Sequence, residues 1–186
     1  MKDKAKLGRK ALVIIDYQNG VLVDPLPLNA MAVLDRIRIL ADDARRLGHA
    51  VVYIQHEEAG TAFEHGSQGW AFPQAIAPQP GDIVVGKRSC DAFRETELAD
   101  RLREAGVTDL YVCGYASDFC VDSTVRQAAS MGYRTTVFSD AHTARDRPFA
   151  SAATIVAHHN WIWPEIINPG NPILVKTSAG ADPFAD

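Results

Sequence analysis

The sequence predicts an α/β fold, a parallel sheet covered by helices on both faces. Three observations predict it. Short apolar, β-branched runs recur along the chain, at KALVIID, AVVYIQH, DIVVGK, DLYVCG and YRTTVFSD. They are apolar almost throughout, as strands buried on both sides are. Segments with helical periodicity separate most of them, and this alternation implies right-handed βαβ crossovers.

The elements follow in order. Lys10–Asp16 is the first strand and ends in a carboxylate. After the loop VDPLPLN, Asn29 is placed to cap a helix over Ala30–Leu47. Met31, Leu34, Ile37, Leu40 and Leu47 recur there at helical spacing, and Gly48 stops the helix. Residues 50 to 56 are the second strand. A long aperiodic stretch follows, EEAGTAFEHGSQGWAFPQAIAPQPG, and such a connection is usually functional or a lid. Residues 82 to 87 form the third strand. The next helix, TELADRLREAG, is capped by Thr96 and ends at Gly106. Residues 109 to 114 are the fourth strand, Phe119–Met131 a helix, and 133 to 140 the fifth strand. RPFASAATIVAHHNWIW reads as a helix with Pro148 near its first turn, and PILVKT, 172 to 177, as a sixth strand.

With 186 residues, the expectation is one domain over 1–186, with residues 1–9 as a flexible N-terminal tail. The tail is basic but lacks the apolar core of a signal peptide. The ALVII run is too short to span a membrane. A net charge of −4 without a basic run argues against nucleic acid as a partner. Three cysteines without a framework spacing fit a reduced, cytoplasmic setting.

In parallel sheets, ligands bind beyond the carboxyl ends of the strands. The residues predicted there are Asp16, Gln55–His56, Lys87, the Gly114–Cys120 turn and Asp140–His142. Cys120 stands at a strand-to-helix turn, in the first turn of the expected helix. Free N–H groups and the helix dipole there favour a thiolate and lower its pKa. Cys113, mid-strand, reads as buried and inert, and Cys90 as a loop cysteine. Asp16 and Lys87 are each ordinary strand-end residues when taken alone. Together they form a candidate ion pair beside Cys120, with Asp16 as base. His56 and His142 offer a rival Cys–His dyad. His56 and His65 with Glu57 or Glu58 match no standard ligand spacing, so no metal site is assigned. His158 and His159 read as structural.

Three motifs in order resemble the isochorismatase-like cysteine hydrolase superfamily: IIDYQN after the first strand, KRSCDAF after the third, and GYASDFCVDSTVRQA after the fourth. The likeness runs from about Ala11 to Thr177. It implies a three-layer αβα sandwich with a six-stranded, mostly parallel sheet, and a catalytic triad of Asp16, Lys87 and Cys120. It also implies a cis Tyr115–Ala116 peptide bond and an oxyanion hole from the N–H groups of Ala116 and Cys120. QHEEAGTAFEH lacks the D-x-H…H metal pattern of nicotinamidases, so the resemblance points to the metal-free amidohydrolase branch, with no cofactor.

The expected activity is therefore cleavage of an amide, lactam or ureido C–N bond through a thioester. Gln18, His56, Trp70, Phe93, Tyr115 and Phe119 are the expected pocket residues. The alternatives are an isochorismatase-type or nicotinamidase-type hydrolase, or a catalytically idle binding homologue. The expected partners are a small-molecule substrate and further copies of the chain, as a homodimer or homotetramer, with neither nucleic acid nor membrane.

Overall fold

The computed structural model describes residues 9–185. The expected tail falls outside them except for Arg9, which opens the first strand. The strands are β1 (Arg9–Ile15), β2 (Ala50–His56), β3 (Ile83–Lys87), β4 (Val107–Tyr115), β5 (Arg134–Thr143) and β6 (Leu174–Lys176). The helices are α1 (Ala30–Arg46), α2 (Leu98–Glu104), α3 (Asp122–Ser130) and α4 (Ala152–Glu165). The strands form one six-stranded sheet in the order β3-β2-β1-β4-β5-β6, with every neighbouring pair parallel. The order reverses between β1 and β4. This is the switch point at which open α/β sheets bind ligands.

β1 shows how the layers arise. Ala11, Val13 and Ile15 belong to one core cluster, with Leu98 and Leu102 of α2, Val125 and Ala128 of α3, and Trp163 of α4. Leu12 and Ile14 belong to the opposite cluster, with Val33, Ile37, Leu40 and Ala44 of α1. Successive side chains of a strand alternate faces, so an all-apolar strand feeds two cores. Each fully buried aliphatic side chain contributes roughly 1.5–3 kcal/mol. Among the described residues no helix is long and apolar enough to cross a membrane.

Several local expectations are corrected. Asn29 does not cap α1 with its side chain; it takes the left-handed conformation at φ 52°, which Asn tolerates better than most residues. Met31 is 58% exposed, because the buried stripe of α1 runs through Ala30 and Val33 instead. Pro148 lies in the Arg147–Ala150 turn, and α4 begins later, after Ser151, whose hydroxyl accepts from the Thr154 N–H. The Thr96 hydroxyl does accept from the Leu98 N–H at the start of α2. β5 extends past Asp140 to Thr143. Asp140 therefore lies inside the strand and accepts from Ser178 N–H and Oγ, away from the strand end where it was expected.

Candidate active site

The switch point is built from three strand ends. Asp16 directly follows β1. Its N–H donates to the Ile54 carbonyl, which extends the β1–β2 pairing, and its φ of 49° turns the chain there. Lys87 ends β3, in register with His56 of β2. After β4 the Tyr115–Ala116 peptide is cis. Ser117–Val121 then forms a π-helical turn, closed by Phe119 and Val121 N–H groups donating to the Ala116 carbonyl. Cys120 sits in this turn, and α3 begins after it. Gly114 lets β4 approach β1: at φ 125°, a Cβ there would lie 2.1 Å from the Ile15 oxygen.

These ends bring Asp16, Lys87 and Cys120 together. Lys87 Nζ is 2.7 Å from Asp16 Oδ2 and 3.3 Å from Cys120 Sγ, and donates to the Ser89 carbonyl at 2.8 Å. The Lys87 side chain is wholly buried. Asp16 Oδ1 is buried without a hydrogen-bond partner. An unpaired buried carboxylate oxygen is costly to leave and well placed to receive a proton.

Burial pushes the Asp16 carboxyl above the usual carboxylate range, against the opposing pull of Lys87. Burial also pushes the Cys120 thiol up, and the neighbouring Asp16 charge adds to it. This corrects the expected low thiol pKa. Cys120 stands in a π-helical turn ahead of α3, and desolvation beside a carboxylate outweighs any helix-dipole effect. Lys87, despite its burial, is pushed up by Asp16 and Cys120.

His56 Nδ1 lies 3.4 Å from Lys87 Nζ and therefore accepts; burial and the Lys87 charge hold the imidazole below its ordinary pKa. His142 bonds to Ser117 and Asn160. Among the described residues, neither imidazole is hydrogen-bonded to Cys120. Cys113 is fully buried, its thiol facing the Val13 carbonyl at 3.7 Å, and Cys90 is exposed.

The expected pocket residues separate. Gln18 is fully buried, and its amide is committed to the backbone: Nε2 donates to the carbonyls of His56 and Trp70, while Oε1 accepts from His56 N–H. It clamps the long loop to β2. Phe93 stacks on Tyr133 and packs against the core, which accounts for its ring without a pocket. Trp70 is half-buried against His65, with ring centroids 4.5 Å apart. Tyr115 is half-buried at the end of β4. Phe119 is 48% exposed, with the Arg147 guanidinium 4.8 Å over its ring. Arg147 also pairs with Asp118 at 2.8 and 3.1 Å. A cavity of about 580 Å³ borders Lys87 but is lined otherwise by residues such as Glu57, Arg88 and Glu95, without Cys120. With the Lys87 side chain wholly buried, that cavity is not the chamber of the nucleophile.

Sequence reasoning missed the Ser117–His142–Asn160 chain and the Arg147 clamp. Ser117 lies within the third motif, GYASDFCVDSTVRQA, three residues before Cys120, the one signal available. Asn160 had none.

Comparison with known proteins fits this arrangement. The isochorismatase domain family matches residues 10–161. A streptothricin hydrolase of Streptomyces noursei is 38% identical over 144 residues, covering 76% of this chain and 52% of the relative. The chain thus spans about half the length of that hydrolase. A solved isochorismatase from Pseudomonas putida superposes with TM-score 0.83 at 33% identity, covering 94% of this chain and 90% of the other. An N-carbamoylsarcosine amidase from Thermoplasma acidophilum gives 0.79 at 26% identity, covering 94% and 99%. With the family match extending over most of the sequence, the chain belongs to the isochorismatase family.

Proposed function

We propose that the chain hydrolyses a C–N bond of a small amide, lactam or ureido compound through a thioester on Cys120. The placement of Lys87 Nζ, in contact with both the Asp16 carboxylate and the Cys120 sulfur beside an unpaired Asp16 Oδ1, supports it most. Relatives named streptothricin hydrolase and N-carbamoylsarcosine amidase support cleavage of a C–N bond.

In this reading Asp16 takes the thiol proton as sulfur attacks the substrate carbonyl carbon. The N–H groups of Ala116 and Cys120 receive the oxyanion. Protonated Asp16 gives its proton to the leaving nitrogen, and the C–N bond breaks. The carboxylate then deprotonates a water, which attacks the thioester. Acid is released, and the proton returns to sulfur. Lys87 remains charged throughout.

Cys120→Ala, assayed on a panel of small amides and ureido compounds, is expected to lose turnover by about a thousandfold or more. Mass spectrometry of acid-quenched wild type is expected to find an acyl adduct on Cys120. Undiminished turnover by the alanine variant refutes the mechanism. The same reading includes a cytoplasmic homodimer or homotetramer, for which exposed Phe149, Trp161 and Ile167 supply apolar surface. Light scattering checks the assembly.

A further inference from the structure

β4 and β5 pair evenly up to Val112–Val137. β5 then takes five residue steps where β4 takes two, so that His142 comes to lie beside Gly114. Bulges of this kind re-aim side chains. Here the bulge brings a buried imidazole to the turn that carries Cys120. His142 Nδ1 is 2.7 Å from Ser117 Oγ, and its Nε2 is 2.9 Å from Asn160 Oδ1. Asn160 Nδ2 donates to the Ser139 carbonyl at 3.2 Å.

The far end of this chain fixes every proton in it. A carbonyl only accepts, so the Asn160 amide nitrogen faces Ser139 and its oxygen faces His142. Nε2 must then carry the imidazole proton, Nδ1 accepts, and the Ser117 hydroxyl donates. Burial suits the neutral ring, lowering its pKa to about 4. The other groups facing the ring are Asp140, His159 and Trp163, whose ring centroid is 5.1 Å away.

α4 also reaches the other end of the turn. Trp163, three residues after Asn160 and so on the same helix face, donates its indole N–H to Asp122 Oδ1 at 2.8 Å. Asp122 is the first residue of α3. Ser117 and Asp122, which bracket Cys120, are thus both tied to one helix.

We propose that His142 and Asn160 are positioning residues, which hold Ser117 so that the backbone N–H groups of the Ala116–Cys120 turn face the developing oxyanion. This rests on the hydrolase reading above. Neither residue touches the reacting atoms; they act through Ser117, which is itself fully buried.

The test uses the full chain and whichever amide of the panel the wild type turns over. Ser117→Ala is expected to lower kcat roughly tenfold to a hundredfold, with KM within about threefold, since a misplaced oxyanion donor is felt mainly in the transition state. Asn160→Asp sets a carboxylate against the Nε2 proton and favours the imidazolium. Nδ1 then donates as well, and the Ser117 hydroxyl must turn to accept. Its kcat is expected to be low while His142 is protonated and to recover as pH rises past the ordinary histidine range of about 6.5. The wild type is expected to lack that limb. The two variants are read independently, so a misfolded one leaves the other decisive. A Ser117→Ala kcat within about threefold of wild type, or an Asn160→Asp loss that is flat from about pH 6 to 9, overturns the assignment alone. Absence of wild-type turnover on every amide overturns the hydrolase reading and this assignment with it.

Discussion

Lys87→Met removes the cation of a buried ion pair, and its cost can be bounded in two ways. Asp16 and Lys87 side chains are 4% and 0% exposed. Removing one partner of such a pair costs about 3–5 kcal/mol if the other stays charged. The carboxyl can instead take a proton. From an unfolded value of about 3.9, that costs about 1.36 kcal/mol per pH unit, or about 4 kcal/mol at pH 7. Because burial already raises Asp16 in the wild type, the protonation figure is an upper bound, and the variant is expected to be up to about 3–4 kcal/mol less stable than wild type at pH 7. At pH 5 the protonation route costs only about 1.5 kcal/mol, and the deficit shrinks toward that figure. The sign follows from Asp16, which burial already raises in the wild type. Without Lys87 it rises further, so the variant's folded state keeps a proton that the wild type's gives up, and the deficit widens as pH rises past the wild-type Asp16 value, above about 3.9. Urea denaturation at pH 5 and pH 7 measures both values. Adding Asp16→Asn should recover much of the loss, because no buried charge is then left unpaired. A deficit under about 1 kcal/mol at pH 7, or one equal at both pH values, would refute the reasoning.

Gly114→Ala sets a Cβ 2.1 Å from the Ile15 oxygen at φ 125°, and should cost more than about 3 kcal/mol; a thermal melt near that of wild type contradicts this. Gln18→Leu strands the His56 carbonyl and N–H and leaves the Trp70 carbonyl with Gln55 Nε2 as donor. At about 1–3 kcal/mol for each unpaired buried group, it should lower the melting temperature and speed hydrogen exchange over residues 57–72, and unchanged exchange there would remove its role as a clamp. Cys113→Ala leaves a small cavity between β4 and the core, so a loss of about 1 kcal/mol with kcat unchanged is expected, and a large kcat loss would place Cys113 in the chemistry.

The fold was legible because apolar spacing reports burial directly. β1 reads as an uninterrupted apolar run because both of its faces are covered. Asp16, Lys87 and Cys120 were legible as strand-end residues once the parallel order was inferred. What was not legible depends on contacts between distant segments. Gln18 belongs to a motif, but its partners are the backbones of His56 and Trp70, and only the folded loop shows that its amide is spent. The reach of β5 past Asp140 follows from a bulge against β4, for which local spacing has no signature. The expected thiolate failed for a related reason. A helix dipole can be anticipated from sequence, whereas desolvation requires knowing what surrounds the sulfur.

Those surroundings explain why the three groups belong together. Burial raises both acids, the carboxyl and the thiol, and Lys87 opposes the rise in each. The Asp16 charge adds to the rise of the thiol, which favours the proton on sulfur and the charge on the carboxylate. In the proposed mechanism, moving a proton from sulfur to Asp16 Oδ1 transfers the negative charge from oxygen to sulfur. Lys87 Nζ already touches both sites, at 2.7 and 3.3 Å, so the anion has its counter-ion before and after the transfer. The net charge of the cluster does not change, and no new desolvation is incurred in a site where an isolated charge would cost several kcal/mol, about the scale of a buried unpaired ion. A thiol with a raised pKa is therefore compatible with the proposed nucleophile: the transfer buries no new charge, because the two proton sites share one counter-ion.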